Sequence, residues 1–471
     1  MITRKRTIAI WVVLILFIGY QLGSIDQESI DDQGLISELL TVRDADNGLT
    51  PIAYIFDPDF SLYRDRDDSQ RFSNWLNGEE WNATEFDEHL ARNQKILAGL
   101  RQVSTYTQFK LNIPDPISRL PNLSRLSDLS KLLILESMSL ARKGDFDRAI
   151  DSINVTLKFT VLLSLDANRY LITHSVAMSM QDSVLRWVHD LAVNYPLNQA
   201  QFLSLAAAVD ALPAYQDDGF EGTFAGEFQY TKEQQRQARE GLFPQPPELA
   251  ADFFGQFVDS LIQEGEYNAE LLKAAFGLWL NPHSSSYHFH TNRVLSAYAE
   301  RLRFLAAQAG SYCHQVRYPD LMDTDASSIV DFLKPNGFAR GFLGRGDSHR
   351  RLFESRCLRH AHRQSVRVII ALRRFQMREG YYPDALEGLV PADLPLIPID
   401  PFDGRPMKYN AASQWLYSAG SNFTDNKGFE AHFYDSECQM NSECMQNPTF
   451  PIKNHPWFLL PERAEACEPT D

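Results

Sequence analysis

The sequence predicts a mainly α-helical protein in three parts. These are an N-terminal transmembrane helix, an α-helical and partly solenoid-like middle domain, and a small α+β module near the C-terminal end. Three observations carry this reading. An uncharged apolar run fills residues 7–22, behind Arg4, Lys5 and Arg6. From about residue 81 to 350, apolar residues recur at helical spacing, and no alternating strand pattern of any length interrupts them. After Gly380 the texture changes to prolines, turns and short β-prone runs.

The N-terminal run, with Thr7, Gly23 and Ser24 extending it, covers residues 7–24 and approaches the roughly 20 residues that span a bilayer as a helix. Trp11 and Tyr20 suit the two interfaces, and the basic flank should stay on the cytoplasmic side. A cleaved signal peptide competes with an uncleaved anchor, but Leu22-Gly23-Ser24 is a poor cleavage site. Residues 1–25 are therefore expected to be an anchor, with the body outside the cytoplasm.

The chain has 471 residues, 44% of them apolar, and a formal net charge of −16. Length argues for about three domains, and the composition for a folded chain. The acidic balance excludes nucleic acid as a partner, because phosphate binding needs clustered Lys and Arg. Five cysteines suit an oxidising compartment, and the six-residue spacing of Cys438 and Cys444 suits a short disulfide loop.

Residues 26–80 read as an acidic linker or loosely packed lead-in, with a strand-like Pro-Ile-Ala-Tyr-Ile-Phe at 51–56 and a polar loop after it. The helical domain follows at 81–349. Its first helix is expected over 84–100, opened by Thr84 and Asp87. At 127–165 two helical patterns flank Lys143-Gly144-Asp145. Gly144 suits the left-handed residue that ends one helix, and Asp145 suits the cap of the next. This hairpin, with Ala149 at the point of close approach, looks like one tetratricopeptide unit. Further helices are expected at 166–193, 197–212, 230–241, 247–277 and 290–310. A long helix at about 350–379 carries a continuous apolar seam of Leu358, Ala361, Ser365, Val368, Leu372 and Phe375. Gly380 and Pro383 stop it.

Beyond that helix, "PMKYN" and "QWLYSA" read as a β-hairpin turned at Asn410. The order and spacing of several motifs here are informative. They are Ala371-Leu372, Gly380, Tyr382-Pro383, Asp400-Pro401, Gly404, Pro406, Tyr409 and Tyr417-Ser418-x-Gly420. Together they resemble the C-terminal domain of the major pseudopilin of the type II secretion system, over residues 350–430. Phe375 stands where that family has Tyr, and one extra residue separates Pro401 from Gly404. The resemblance implies a bacterial inner-membrane protein, single-pass, with its N-terminus cytoplasmic and its body in the periplasm. It also implies a structural calcium in the loop after Gly420, where Asn422, Asp425, Asn426 and Glu430 supply oxygens. The N-terminus lacks the family's prepilin-peptidase site, so pseudopilus assembly is not implied. Residues 431–471 form a cysteine-containing tail.

No motif names a reaction. His283, His288 and His290 sit in one loop, and Cys357, His360 and His362 on one helix. On that helix Cys357 and His360 share a face, and His362 points away from it. Neither group has an acidic neighbour in sequence, so metal binding is subordinate to ordinary surface or capping roles. Glu136 lies among apolar residues. Asp400 and Asp403 look like paired carboxylates, but the Asp-Pro and Asp-Gly context favours turns. The expected function is a non-enzymatic interaction or scaffold protein with a protein or peptide partner. Alternatives are an envelope hydrolase with a site in the helical domain, or an accessory part of a type II secretion or pilus-like machine.

Overall fold

A computed structural model describes residues 30–35, 42–76, 81–111, 123–166, 170–239, 291–317, 346–420 and 449–452. Its helices are α1 Arg66–Leu76, α2 Ala83–Arg92, α3 Gln94–Val103, α4 Ser124–Arg142, α5 Phe146–Ser164, α6 Leu171–Asn194, α7 Gln199–Asp210, α8 Phe220–Arg239, α9 Thr291–Ala306 and α10 Gly346–Glu379. Three short strands follow, β1 Lys408–Asn410, β2 Trp415–Tyr417 and β3 Thr449–Pro451.

The hairpin at 127–165 forms as its sequence dictates. Gly144 adopts φ 79° and has open space around it, which closes α4. The Asp145 side chain accepts from Arg148 N, capping α5. Ala149 is fully buried where the helices meet, and Ser137 Oγ donates to its carbonyl at 2.7 Å. Glu136 is buried but paired, accepting from Arg101 Nη2 at 2.6 Å and Ser152 Oγ at 2.8 Å. It is a structural ion pair.

Helices α4, α5 and α6 pack on one another, α7 packs on α5, and α10 lies across α6 and α7. A helix from late in the chain therefore closes the array. This differs from a solenoid, in which each unit touches only the next. The predicted seam faces that contact: Ala361, Ser365, Val368 and Leu372 are fully buried, and Leu358 and Phe375 nearly so. A second, smaller core joins α8, α9 and the start of α10. Phe220, Phe224 and Phe353 meet there at ring separations of 5.0 to 6.1 Å. Each such buried ring contributes about 2 to 3 kcal/mol relative to exposure.

Several expectations need correcting. No helix among the described residues is long and apolar enough to cross a membrane. The long helices carry charge along their length, such as Asp147, Arg148, Asp151 and Lys158 on α5, and turn their apolar faces on one another. The expected transmembrane helix at residues 7–24 lies outside the described residues. With no membrane-crossing helix among the described residues, the single-pass inner-membrane placement and the periplasmic body that follows from it are not supported. The lead-in is not a loose linker. Residues 51–56 form a 3-10 turn within Thr50–Phe56, opened by Pro51, and bury Ile52 and Ile55 in the main core. The polar stretch after it becomes α1. Residues 30–35 dock on α8 and α9 through Lys232–Asp32 and Arg303–Asp31 ion pairs. The helix expected at 84–100 is two helices broken at Asn93, and Asn82 caps the first by accepting from Thr84 N and Glu85 N.

The hairpin pairs antiparallel, Lys408 opposite Tyr417, and Asn410 Oδ1 accepts from Ala412 N and Ser413 N in its turn. Strand β3 then adds to β2, with Leu416 opposite Phe450. The module thus recruits residues from the expected tail, and Phe450 and Ile452 are fully buried. The described disulfide joins Cys313 to Cys357, with Cα atoms 6.4 Å apart. The Cys438–Cys444 pair lies outside the described residues.

Candidate functional site

Within the 401–420 segment the motif residues converge on Asp400, which is fully buried. Its Oδ1 accepts from Phe402 N at 3.0 Å and Ser418 Oγ at 2.8 Å, and its Oδ2 from Ala419 N at 2.7 Å. Burial pushes its carboxyl up, against the pull of these donors. Asp403 Oδ1 accepts from Arg405 N, and its Oδ2 from Lys408 Nζ at 2.8 Å. Asp400 is a turn former and Asp403 a strand anchor, as the turn reading expects, and Lys408 Nζ reaches both, 2.8 Å from Asp403 Oδ2 and 3.5 Å from Asp400 Oδ2. Residues 401–402 are gripped from outside: Cys313 N donates to Pro401 O and His314 N to Phe402 O. Asn422, Asp425, Asn426 and Glu430 lie outside the described residues, as do His283, His288 and His290. Among the described residues, no cluster of three or more His, Cys, Asp or Glu side chains could hold a metal ion.

The richest polar chemistry lies where α6, α10 and the 211–219 turn meet. Asp218, at the hub, is 4% exposed. It accepts from Arg356 Nε at 2.6 Å and Nη2 at 3.0 Å, from Phe220 N at 3.0 Å, and from His360 Nε2 at 3.1 Å. A carboxylate accepts only, so Nε2 carries the proton. Burial alone would raise the Asp218 carboxyl. The His360 hydrogen bond and the Arg356 guanidinium outweigh it and hold the group well below the usual carboxylate range. Arg356 also stacks over Tyr215, 3.8 Å from the ring centroid, and donates to Tyr215 O and Ala309 O.

On the other side of α10, His362 Nδ1 lies 2.7 Å from Asp182 Oδ1, and Arg186 reaches Asp182 Oδ2 at 3.1 Å. His362 stacks flat on Phe450, 5.5 Å between centroids, which ties β3 to this cluster. Cys357 sits beside Arg356, and its sulfur is committed to the disulfide with Cys313. The helix places His360 and His362 on different faces, as their spacing requires.

Two buried imidazoles here keep one bare nitrogen each. His360 Nδ1 and His174 Nε2 have no hydrogen-bond partner among the described residues. Burial depresses both rings, His174 to about 4, so both are neutral at neutral pH. His360 lines a small pocket with Arg359, Arg363, Gln181, Asp182 and Asp218. The pocket leaves about 10 Å³ for the centre of a water-sized molecule, room for one water.

Sequence reasoning singled out His360 and His362 but missed Asp182, Asp218, Arg356 and Arg363. One signal was present. The run Arg356-Cys-Leu-Arg-His-Ala-His-Arg363 places arginines and histidines on a helix whose seam is otherwise apolar. Buried cations demand carboxylate partners, but spacing alone does not say which acids answer. No protein-family model matches the chain, and neither curated proteins nor solved structures give a match.

Proposed function

We propose that this chain is a non-enzymatic interaction scaffold, a helical body that presents its pseudopilin-like module to a protein or peptide partner. One observation carries the reading: among the described residues, the buried polar cluster on α6 and α10 leaves no room for a substrate. Asp218 and Asp182 hold Arg356, His360, Arg186 and His362, and the remaining space fits one water. A small-molecule substrate typically needs about 300 Å³ or more. The resemblance of residues 350–430 supports the module as the presented part, and Tyr381 and Leu396, each 62% exposed, offer apolar contact on it. In its narrowest form the partner is a component of a secretion or pilus-like machine, the setting of the family the module resembles.

Crosslinking of the full chain in cells, followed by mass spectrometry, tests this. The expected result is a stoichiometric protein partner that crosslinks to residues 375–400. Tyr381→Ala with Leu396→Ala should release it and leave the melting midpoint unchanged. Retention of the partner by that double variant would refute the module as the docking part. The resemblance also brings a structural calcium to Asn422, Asp425, Asn426 and Glu430. Calorimetry with calcium on chelator-treated protein should show one site, and a flat trace rejects it.

A hydrolase reading has one observation behind it, the His360 imidazole with a carboxylate on Nε2 and a bare Nδ1. It requires turnover of ester, peptide or glycoside substrates that His360→Gln abolishes. Its one neighbouring hydroxyl in the pocket, Ser164 Oγ, is already committed to Val161 O at 2.8 Å.

A further inference from the structure

The pocket beside His360 has an unbalanced set of charges. Asp218 and Asp182 are saturated by Arg356 and Arg186, which stand outside the pocket lining. Arg359 and Arg363, which do line it, spend their hydrogen bonds on carbonyls. Arg359 Nη1 donates to Ser175 O at 3.3 Å, and Arg363 donates to the carbonyls of Pro213 and Leu212. Among the described residues neither guanidinium has a carboxylate within ion-pair distance. Arg363 is only 8% exposed, and its Nε has no partner. Burial pushes both guanidinium groups down, Arg363 to about 10, and outweighs the more distant carboxylates, Asp182 for Arg359 and Asp210 and Asp218 for Arg363. His360, 5% exposed, adds the bare Nδ1.

We propose that this pocket binds one small monovalent anion of halide size. Arg363 Nε–H and the Arg359 guanidinium hold it, and His360 completes the site by taking a proton from solvent at Nδ1. In the neutral ring Nδ1 presents a lone pair, which repels an anion. After protonation it donates, and the imidazolium charge is shared with Asp218 through Nε2–H. Binding is therefore coupled to uptake of one proton. The groups that face His360 set this coupling. They are Arg356, Arg359 and Arg363 on its own helix, Asp182 on α6, and Tyr215 and Asp218 on the turn. Asp218 favours the protonated ring and the arginines oppose it, so an anion that neutralises the arginines shifts the balance toward protonation.

Bromide is the probe. Anomalous diffraction from crystals of the full chain grown with sodium bromide should place one peak within about 3.5 Å of Arg363 Nε. In solution, bromide at matched ionic strength against gluconate should raise the melting midpoint in proportion to the logarithm of its concentration. The rise should be larger at about pH 5.5 than at about pH 8, on either side of the free imidazole value. His360→Gln, which keeps a donor for Asp218, should remove the pH dependence. No peak in the pocket overturns the proposal. A peak without the thermal effect marks an adventitious ion only, and also overturns it. A pH-independent effect in the native chain removes His360 from the site. The bromide measurements on the native chain decide the question even if the variant fails to fold.

Discussion

Replacing Asp218 with Asn keeps the shape of the hub side chain and removes its charge. Arg356, 3% exposed, then stays buried with no carboxylate against it. The interaction lost is that of two unit charges whose centres lie about 4 Å apart, which at an effective dielectric constant near 20 is about 4 kcal/mol. Removing one partner of a buried pair elsewhere destabilises by roughly 3 to 5 kcal/mol, so the two routes agree. Urea unfolding of the full chain, followed by circular dichroism, measures the change as a fall in midpoint at constant slope. The pair term is isolated by a cycle with Arg356→Met. The double variant should recover most of the loss, because no buried charge is then left unmatched. A loss below about 1 kcal/mol for Asp218→Asn would refute the hub reasoning. So would a double variant as unstable as the sum of the singles.

Three further outcomes are expected. Cys313→Ser with Cys357→Ser opens a loop of sequence separation 44, and chain entropy puts the loss at about 4 kcal/mol. Equal urea midpoints for the double variant and the oxidised native chain would show that the bridge contributes nothing. His89 and His174 are each held near 4 by burial, below the free imidazole value. The unfolded chain therefore binds more protons, and stability falls as pH drops from about 6.5 to about 4, by on the order of a few kcal/mol per ring. A urea midpoint that is flat across this window contradicts the assignment. Gly404 has φ 70°, and an added Cβ would lie 3.2 Å from both His314 Cε1 and Tyr312 Cδ2. Gly404→Ala should lower stability by about 1 to 2 kcal/mol through the left-handed backbone alone, read from the same unfolding curves.

What the sequence made legible follows local rules. The α4–α5 hairpin was readable because Gly144 and Asp145 determine their own backbone and cap within four residues. The α10 seam was readable because one side of a helix must repeat at 3.6 residues. The turn role of Asp400 was readable from the proline and glycine beside it. What was not legible depends on contacts far apart in sequence. Nothing near Asp218 announces Arg356, and nothing near Asp182 announces His362. Strand β3 is three residues long, and its only argument for being a strand is the exposed edge of β2. Residues 51–56 have strand-forming side chains, but Pro51 and the groove beside α3 make them a 3-10 turn. The membrane reading rested on a single apolar run and had no second element to test it.

The addition of β3 to β2 also bears on how the chain reaches this state. One hydrophobic cluster runs from Leu49 to Ile452. Synthesis proceeds from the N-terminus, so early helices such as α4 and α5 can form while the ribosome is still reading. Until Phe450 emerges, the outer edge of β2 offers unpaired amides and carbonyls, and one face of His362 lacks its aromatic neighbour. The module is therefore completed only after residues 449–452 have left the ribosome. Pairings this distant form slowly. During that interval the open edge is where a chaperone, or another nascent chain, would meet this protein first.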